Sequence, residues 1–75
     1  MNINEFIIET LLSNGDVKAA ADVTGSTVKT VMRAYYDTMT NNRRLLANAN
    51  VAIEVKRETI EQMKNLAGII TASEV

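Results

Sequence analysis

A chain of 75 residues with no proline and only three glycines, Gly15, Gly25 and Gly68, has few places where a helix is obliged to stop. Proline would remove a backbone donor and clash with the preceding turn, and glycine most readily takes the left-handed conformation just past a helix end. Gly15 and Gly25 cut the N-terminal third into short segments, whereas no strong breaker lies between Gly25 and Gly68. The pattern predicts an all-α chain.

Capping residues set the boundaries of the short segments. Helix 1 begins after Asn2, whose side chain can cap while Glu5, three residues on, completes a start like a capping box. Ile3, Phe6, Ile7, Thr10 and Leu11 then recur on one face at helical spacing, and Asn14-Gly15 ends the segment. Asp16 caps helix 2, which runs to about Val23, and Thr24-Gly25-Ser26 forms the turn. Thr27 caps helix 3, where Val28, Val31 and Tyr35 repeat on one stripe while Lys29 and Arg33, four apart, share another face.

Beyond Thr38 two readings stay open. Leu46, Ala49, Ile53, Lys56, Ile60, Met63, Ala67 and Ile70 alternate steps of three and four, the seam of a coiled coil with one charged interruption. One long helix is compatible with that seam, which would pair two copies through Ile53, Ile60, Met63, Ala67 and Ile70. Val51, Ile53 and Val55 also alternate with polar or small neighbours. VAIEVK could therefore be a strand after an Asn48–Asn50 turn, making residues 43–56 the hairpin wing of a winged fold. The helical reading is preferred, because its spacing continues on both sides and the segment Arg43–Ala47 does not alternate. In both readings Glu58 to Ile70 is helical, with Glu58, Glu61 and Lys64 outside and Ile60, Met63, Leu66, Ala67 and Ile70 inside. The expected organisation is a three-helix head over residues 1–40 followed by a helical oligomerisation segment over 41–75.

At this length a folded chain buries only about 60% of the surface its unfolded form exposes, so its own core is marginal. The sequence has no cysteine and no histidine, which removes disulfides and the usual zinc ligands and leaves oligomerisation as the way to add buried area. No run approaches the roughly 18 apolar residues of a membrane span, and MNINEF lacks the character of a signal peptide. A cytoplasmic protein of a bacterial or phage-infected cell is the expectation, with no membrane partner.

The net charge of −1 hides a division. Residues 1–16 carry Glu5, Glu9 and Asp16 and no base, a net of −3; residues 17–44 carry Lys18, Lys29, Arg33, Arg43 and Arg44 against Asp22 and Asp37, a net of +3. Residues 45–75 return to −1. Attraction to phosphates acts over about one Debye length, roughly 8 Å at physiological salt, so a local basic face can work on an acidic molecule.

That basic third contains VKAAADVTGSTVKTVMRAYY, residues 17–36, with the spacing of a helix-turn-helix. Ala21 supplies a small residue where two helices touch, Gly25 sits where the turn needs a positive φ, and Val31 and Ala34 complete the contact. The segment ADVTGSTVKTVMRAY resembles the helix-turn-helix of lactose-repressor-type bacterial regulators: Ala21, Gly25, Thr27, Thr30, Val31 and Arg33 stand in matching places. Ser26 replaces the usual apolar plug of the turn, and Met32 a small polar residue. The resemblance implies base reading by Val28, Lys29 and Arg33. Nothing after Tyr36 resembles that family's hinge or sugar-binding domain. In size and in its Asn-rich middle the chain is similar to small phage or mobile-element regulators.

Chemistry suggests a role for each residue. Arg33 can donate twice to guanine O6 and N7, Lys29 offers a mobile charge to guanine or phosphate, and Val28 either packs on a thymine methyl or joins the core stripe. Thr27 either caps the helix or holds a phosphate, for which Ser26 is a further candidate. Arg43 and Arg44 are phosphate ligands or solvated surface. Catalysis finds no support without histidine or cysteine, and the scattered glycines make no phosphate loop, so no cofactor is expected. The expected function is sequence-specific binding of double-stranded DNA by a homodimeric transcriptional regulator, with residues 27–38 in the major groove. Two alternatives are a DNA-packaging component similar to phage small terminase subunits and an adaptor or inhibitor that binds a host protein.

Overall fold

The computed structural model describes residues 2–73, in which there are four α-helices and no strand: α1 (Ile3–Asn14), α2 (Val17–Thr24), α3 (Val28–Ala47) and α4 (Ile53–Ser73). The first three begin at the expected caps. The Glu5 amide donates to Asn2 Oδ1 at 2.8 Å and the Ala19 amide to Asp16 Oδ2 at 2.9 Å. The Thr30 amide donates to Thr27 Oγ1 at 3.2 Å. Each side chain satisfies one of the amides that a helix start leaves without an intrahelical partner. Gly15 and Gly25 close α1 and α2 with φ of 69° and 68°, the left-handed region that the glycine spacing requires.

Two expectations are corrected. On α1 the buried residues are Ile7, Ile8, Thr10 and Leu11, while Ile3 and Phe6 stand 65% and 42% exposed. The face has turned toward Ile8 because α1 packs against α4 as well as α2 and α3, and Ile8 borders the groove where α3 and α4 meet. Residues 43–56 form neither a wing nor part of one long helix. Residues 43–47 complete α3, 48–52 turn, and 53–56 open α4. The break needs no glycine, because Asn48 supplies its own: the Asn50 amide donates to Asn48 Oδ1 at 2.9 Å and the Val51 amide to the Asn48 carbonyl at 3.2 Å. An asparagine side chain that bonds its own backbone two residues on competes with helix continuation. The Asn48–Asn50 turn is thus present, but it joins two helices.

Reversal of the chain at 48–52 brings α4 back along the other helices. Ile7, Ile8, Leu11, Val17, Ala20, Ala21, Val31, Ala34, Met39, Leu66 and Ile70 form one buried cluster, which draws on residues from both sides of residue 40. Leu66 is fully buried, and an unbroken α3–α4 rod would have left it and Ile70 in water, at a cost of about 1.5–3 kcal/mol for each side chain. The Asn42 side-chain amide donates to Gln62 Oε1 at 2.8 Å, and the Val17 amide donates to Ser73 Oγ at 3.3 Å. These bonds tie α4 to α3 and to the start of α2.

At about 1.5 Å per residue α3 and α4 are each roughly 30 Å long, far longer than α1 or α2. Their shared end therefore projects as an arm, and the molecule measures 38 × 26 × 17 Å. The radius of gyration is 12.6 Å, against about 11.3 Å for a compact chain of this length. Among the described residues no helix is long and apolar enough to cross a membrane.

Candidate functional site

The geometry between α2 and α3 follows from Gly25. The Gly25 amide donates to the Asp22 carbonyl at 3.3 Å and the Ser26 amide to the Ala21 carbonyl at 2.9 Å, the paired bonds of a Schellman ending. Thr24 Oγ1 donates to the Ala20 carbonyl at 2.8 Å and is in contact with the Ser26 hydroxyl, which is left to donate to it. Ser26 is half-buried and its hydroxyl lies against that of Thr24 within the turn. Thr27, in extended conformation with φ −100° and ψ 161°, reverses the chain into α3.

Val31, Ala34 and Met39 hold α3 to the core, with Tyr35, Thr38, Asn42, Leu45 and Leu46 half-buried around them. This fixes the opposite face. Lys29, Arg33, Tyr36, Thr40 and Arg43 are all exposed and follow one another at steps of three or four, and Arg44, also exposed, lies four beyond Thr40. From Lys29 to Arg44 the stripe runs about 22 Å along the helix. Arg43 and Arg44 join it because α3 continues to Ala47, beyond the expected end near residue 38. Asp37 borders the stripe and is the acid nearest to Arg33 in the helix sequence, one turn away.

Lys29, Met32, Arg33, Tyr36 and Asp37 line one shallow depression of about 330 Å³. Met32 packs against the core from below, and the Tyr36 ring meets the Tyr35 ring edge-on with centroids 5.1 Å apart and planes at 60°. Tyr35 is itself packed on the core, so the outer ring has a fixed support. A second, apolar cleft of about 480 Å³ opens at the start of α3 between Val28, Met32, Val17 and Ile70. Val28 is 46% exposed, so it borders the outside without belonging to the buried cluster.

Sequence reasoning placed Thr27, Val28, Lys29 and Arg33 together at the start of α3; Lys29 and Arg33 share its exposed face, whereas Thr27 caps the helix and Val28 borders the cleft with Val17 and Ile70. Tyr36 was missed as a member of that face, although it follows Arg33 by three and Lys29 by seven; its neighbour Tyr35 had the apolar spacing and drew the attention. The residues of the expected self-association seam are divided. Ile53 and Ile60 are 62% and 42% exposed, Met63 and Ala67 are half-buried, and Ile70 at 7% belongs to the chain's own core. Ile70 is unavailable to a second copy because the 48–52 turn folds the C-terminal half of α4 inward.

Chemically the α3 face offers one lysine, three arginines, one aromatic ring and several hydroxyls along a single helix, a pattern that suits a long polyanion better than a small ligand. Among the described residues no cluster of three or more acidic side chains could hold a metal ion. Comparison with protein-family models, curated proteins and solved structures gives no match.

Proposed function

We propose that this chain is a sequence-specific double-stranded DNA-binding protein that acts as a homodimeric transcriptional regulator, a binding protein and not an enzyme. The observation that carries the reading is the outward face of α3, where Lys29 and Arg33 follow a glycine-closed turn and Arg43 and Arg44 continue the same line. A major groove about 12 Å wide accepts one α-helix, and α3 enters it with residues 27–38. Arg33 reads guanine, Lys29 reads guanine or phosphate, Thr27 caps α3 while the remaining first-turn amides hold a phosphate, and Arg43 and Arg44 bind phosphates where the helix leaves the groove. Ser26 supports the turn in this reading, with its hydroxyl turned to Thr24.

The homodimer is proposed through the arm. Exposed Ile53 and Ile60 lie seven apart on one face of α4. The accessible surface is 5041 Å², whereas a compact chain of 8.2 kDa exposes about 4,500 Å². The excess belongs with the projecting arm, whose exposed apolar side chains are the surface offered to a second copy. Light scattering of the purified chain followed by selection from random duplexes at two salt concentrations tests both parts. A dimer that enriches a two-fold symmetric site is the expected result. Failure to retain any duplex at low salt would favour the host-protein adaptor, and a ring of many subunits with weak sequence preference would favour the packaging component.

A further inference from the structure

The depression on α3 contains an apolar surface that neither phosphate binding nor hydrogen bonding to bases requires. Its floor is Met32, its wall the Tyr36 ring, 59% exposed and braced edge-on by Tyr35, and its rim the cations Lys29 and Arg33. We infer that Tyr36 is a specificity-determining residue that packs its ring on a thymine C5 methyl group beside the guanine read by Arg33. This rests on the DNA-binding reading above. The four cations of the face supply the charge complementarity that brings a duplex there, and the ring then meets the groove floor. Thymine carries the apolar group of the major-groove edge; the other groups there are hydrogen-bond donors and acceptors, which an apolar floor cannot satisfy.

The spacing keeps the two contacts close together. Arg33 and Tyr36 are separated by about 4.5 Å along the helix axis, close to the roughly 3.4 Å step between successive bases. The two side chains therefore address neighbouring base pairs when α3 lies along the groove. Tyr35 matters as well, because a ring held by an edge-to-face partner needs no ordering when the duplex arrives. Asp37 also lines the depression, an acid beside the ring that disfavours a phosphate there.

The test uses the full chain and the duplex that the wild-type chain selects from a random pool. Each thymine is replaced in turn by deoxyuridine, which removes the C5 methyl and leaves pairing intact. Affinities are measured for wild type, Tyr36→Phe and Tyr36→Ala, with circular dichroism to verify that each variant is folded. One deoxyuridine position, adjacent to the guanine whose replacement Arg33→Ala tolerates, should weaken wild type and Tyr36→Phe about fourfold, the worth of one buried methyl group. The same replacement should leave Tyr36→Ala unchanged. Equal deoxyuridine penalties in all three proteins, or no penalty in any, would overturn the inference while leaving DNA binding standing. A uniform loss on every duplex in both Tyr36 variants would assign the hydroxyl to phosphate and also overturn it. If no duplex is selected at all, the DNA-binding reading itself fails and the inference with it.

Discussion

The Asn42 side-chain amide reaches across the arm to donate to Gln62 Oε1 at 2.8 Å, so the last third of α3 and the middle of α4 are joined by a half-buried amide pair. A net contribution near 1 kcal/mol is usual for such a bond, and removing one partner leaves the other short of a ligand. Asn42→Ala should therefore lower the melting temperature by about 4–8 °C, the shift that 1 kcal/mol makes in a domain of this size. The double variant with Gln62→Ala should melt close to the single one, because the two losses are one interaction. Additive shifts in calorimetry would show that the pair is not coupled.

Two glycines should respond to alanine with opposite signs. Gly25 holds φ at +68° with nothing within 4 Å of a built Cβ, so alanine there meets no neighbour and only the left-handed backbone opposes it. That penalty is about 1–2 kcal/mol. Gly68 lies inside α4, exposed, with equally open space, and alanine in its place should stabilise by about 1 kcal/mol through helix propensity. Denaturant melts of the two variants check both. A stabilised Gly25→Ala would mean that the turn between α2 and α3 does not depend on its glycine.

The two classes of arginine on α3 should separate in binding assays on the selected duplex. Arg33→Ala should relax base preference at one position of each half-site by about 1–3 kcal/mol. Arg43→Ala should instead lower affinity alike for all sequences and reduce the salt slope by about 1. Equal losses on every duplex from Arg33→Ala would assign that side chain to phosphate alone.

How much was legible in the sequence follows from how local each determinant is. Asn2, Asp16 and Thr27 announce helix starts by bonding an amide three residues away, and Gly15 and Gly25 announce ends by a conformation that few residues accept. Those signals act within one turn, so three helices and the candidate face at Lys29 and Arg33 were readable. The reversal at 48–52 was not, since Asn48 suits a strand turn, an exposed helix position or a helix–helix turn; burial of Leu66 and Ile70 decides among them, and burial is a property of the whole fold. For the same reason the seam looked continuous from Leu46 to Ile70. Periodicity finds an apolar face without saying whether the chain's own core or a second copy covers it.

Lys56 supplies the strongest test of self-association through the arm. It lies between Ile53 and Ile60 in sequence and is half-buried on their stripe, whereas Glu54 and Glu61 flank Arg57 and Lys64, so two arms paired in parallel along this stripe bring the two Lys56 ammonium groups together. Dimerisation should therefore strengthen with salt, as screening removes the repulsion, while binding to DNA weakens over the same range. Lys56→Leu should tighten the dimer and abolish its salt dependence. Ile60→Glu should give a folded monomer, because Ile60 is 42% exposed and outside the buried cluster, and its affinity for a symmetric site should fall since each subunit then brings only its own phosphate contacts. Sedimentation equilibrium at low and high salt separates these outcomes. A wild-type chain that stays monomeric at all salt concentrations would remove the arm from the dimer, and the exposed Ile53 and Ile60 would then need another partner.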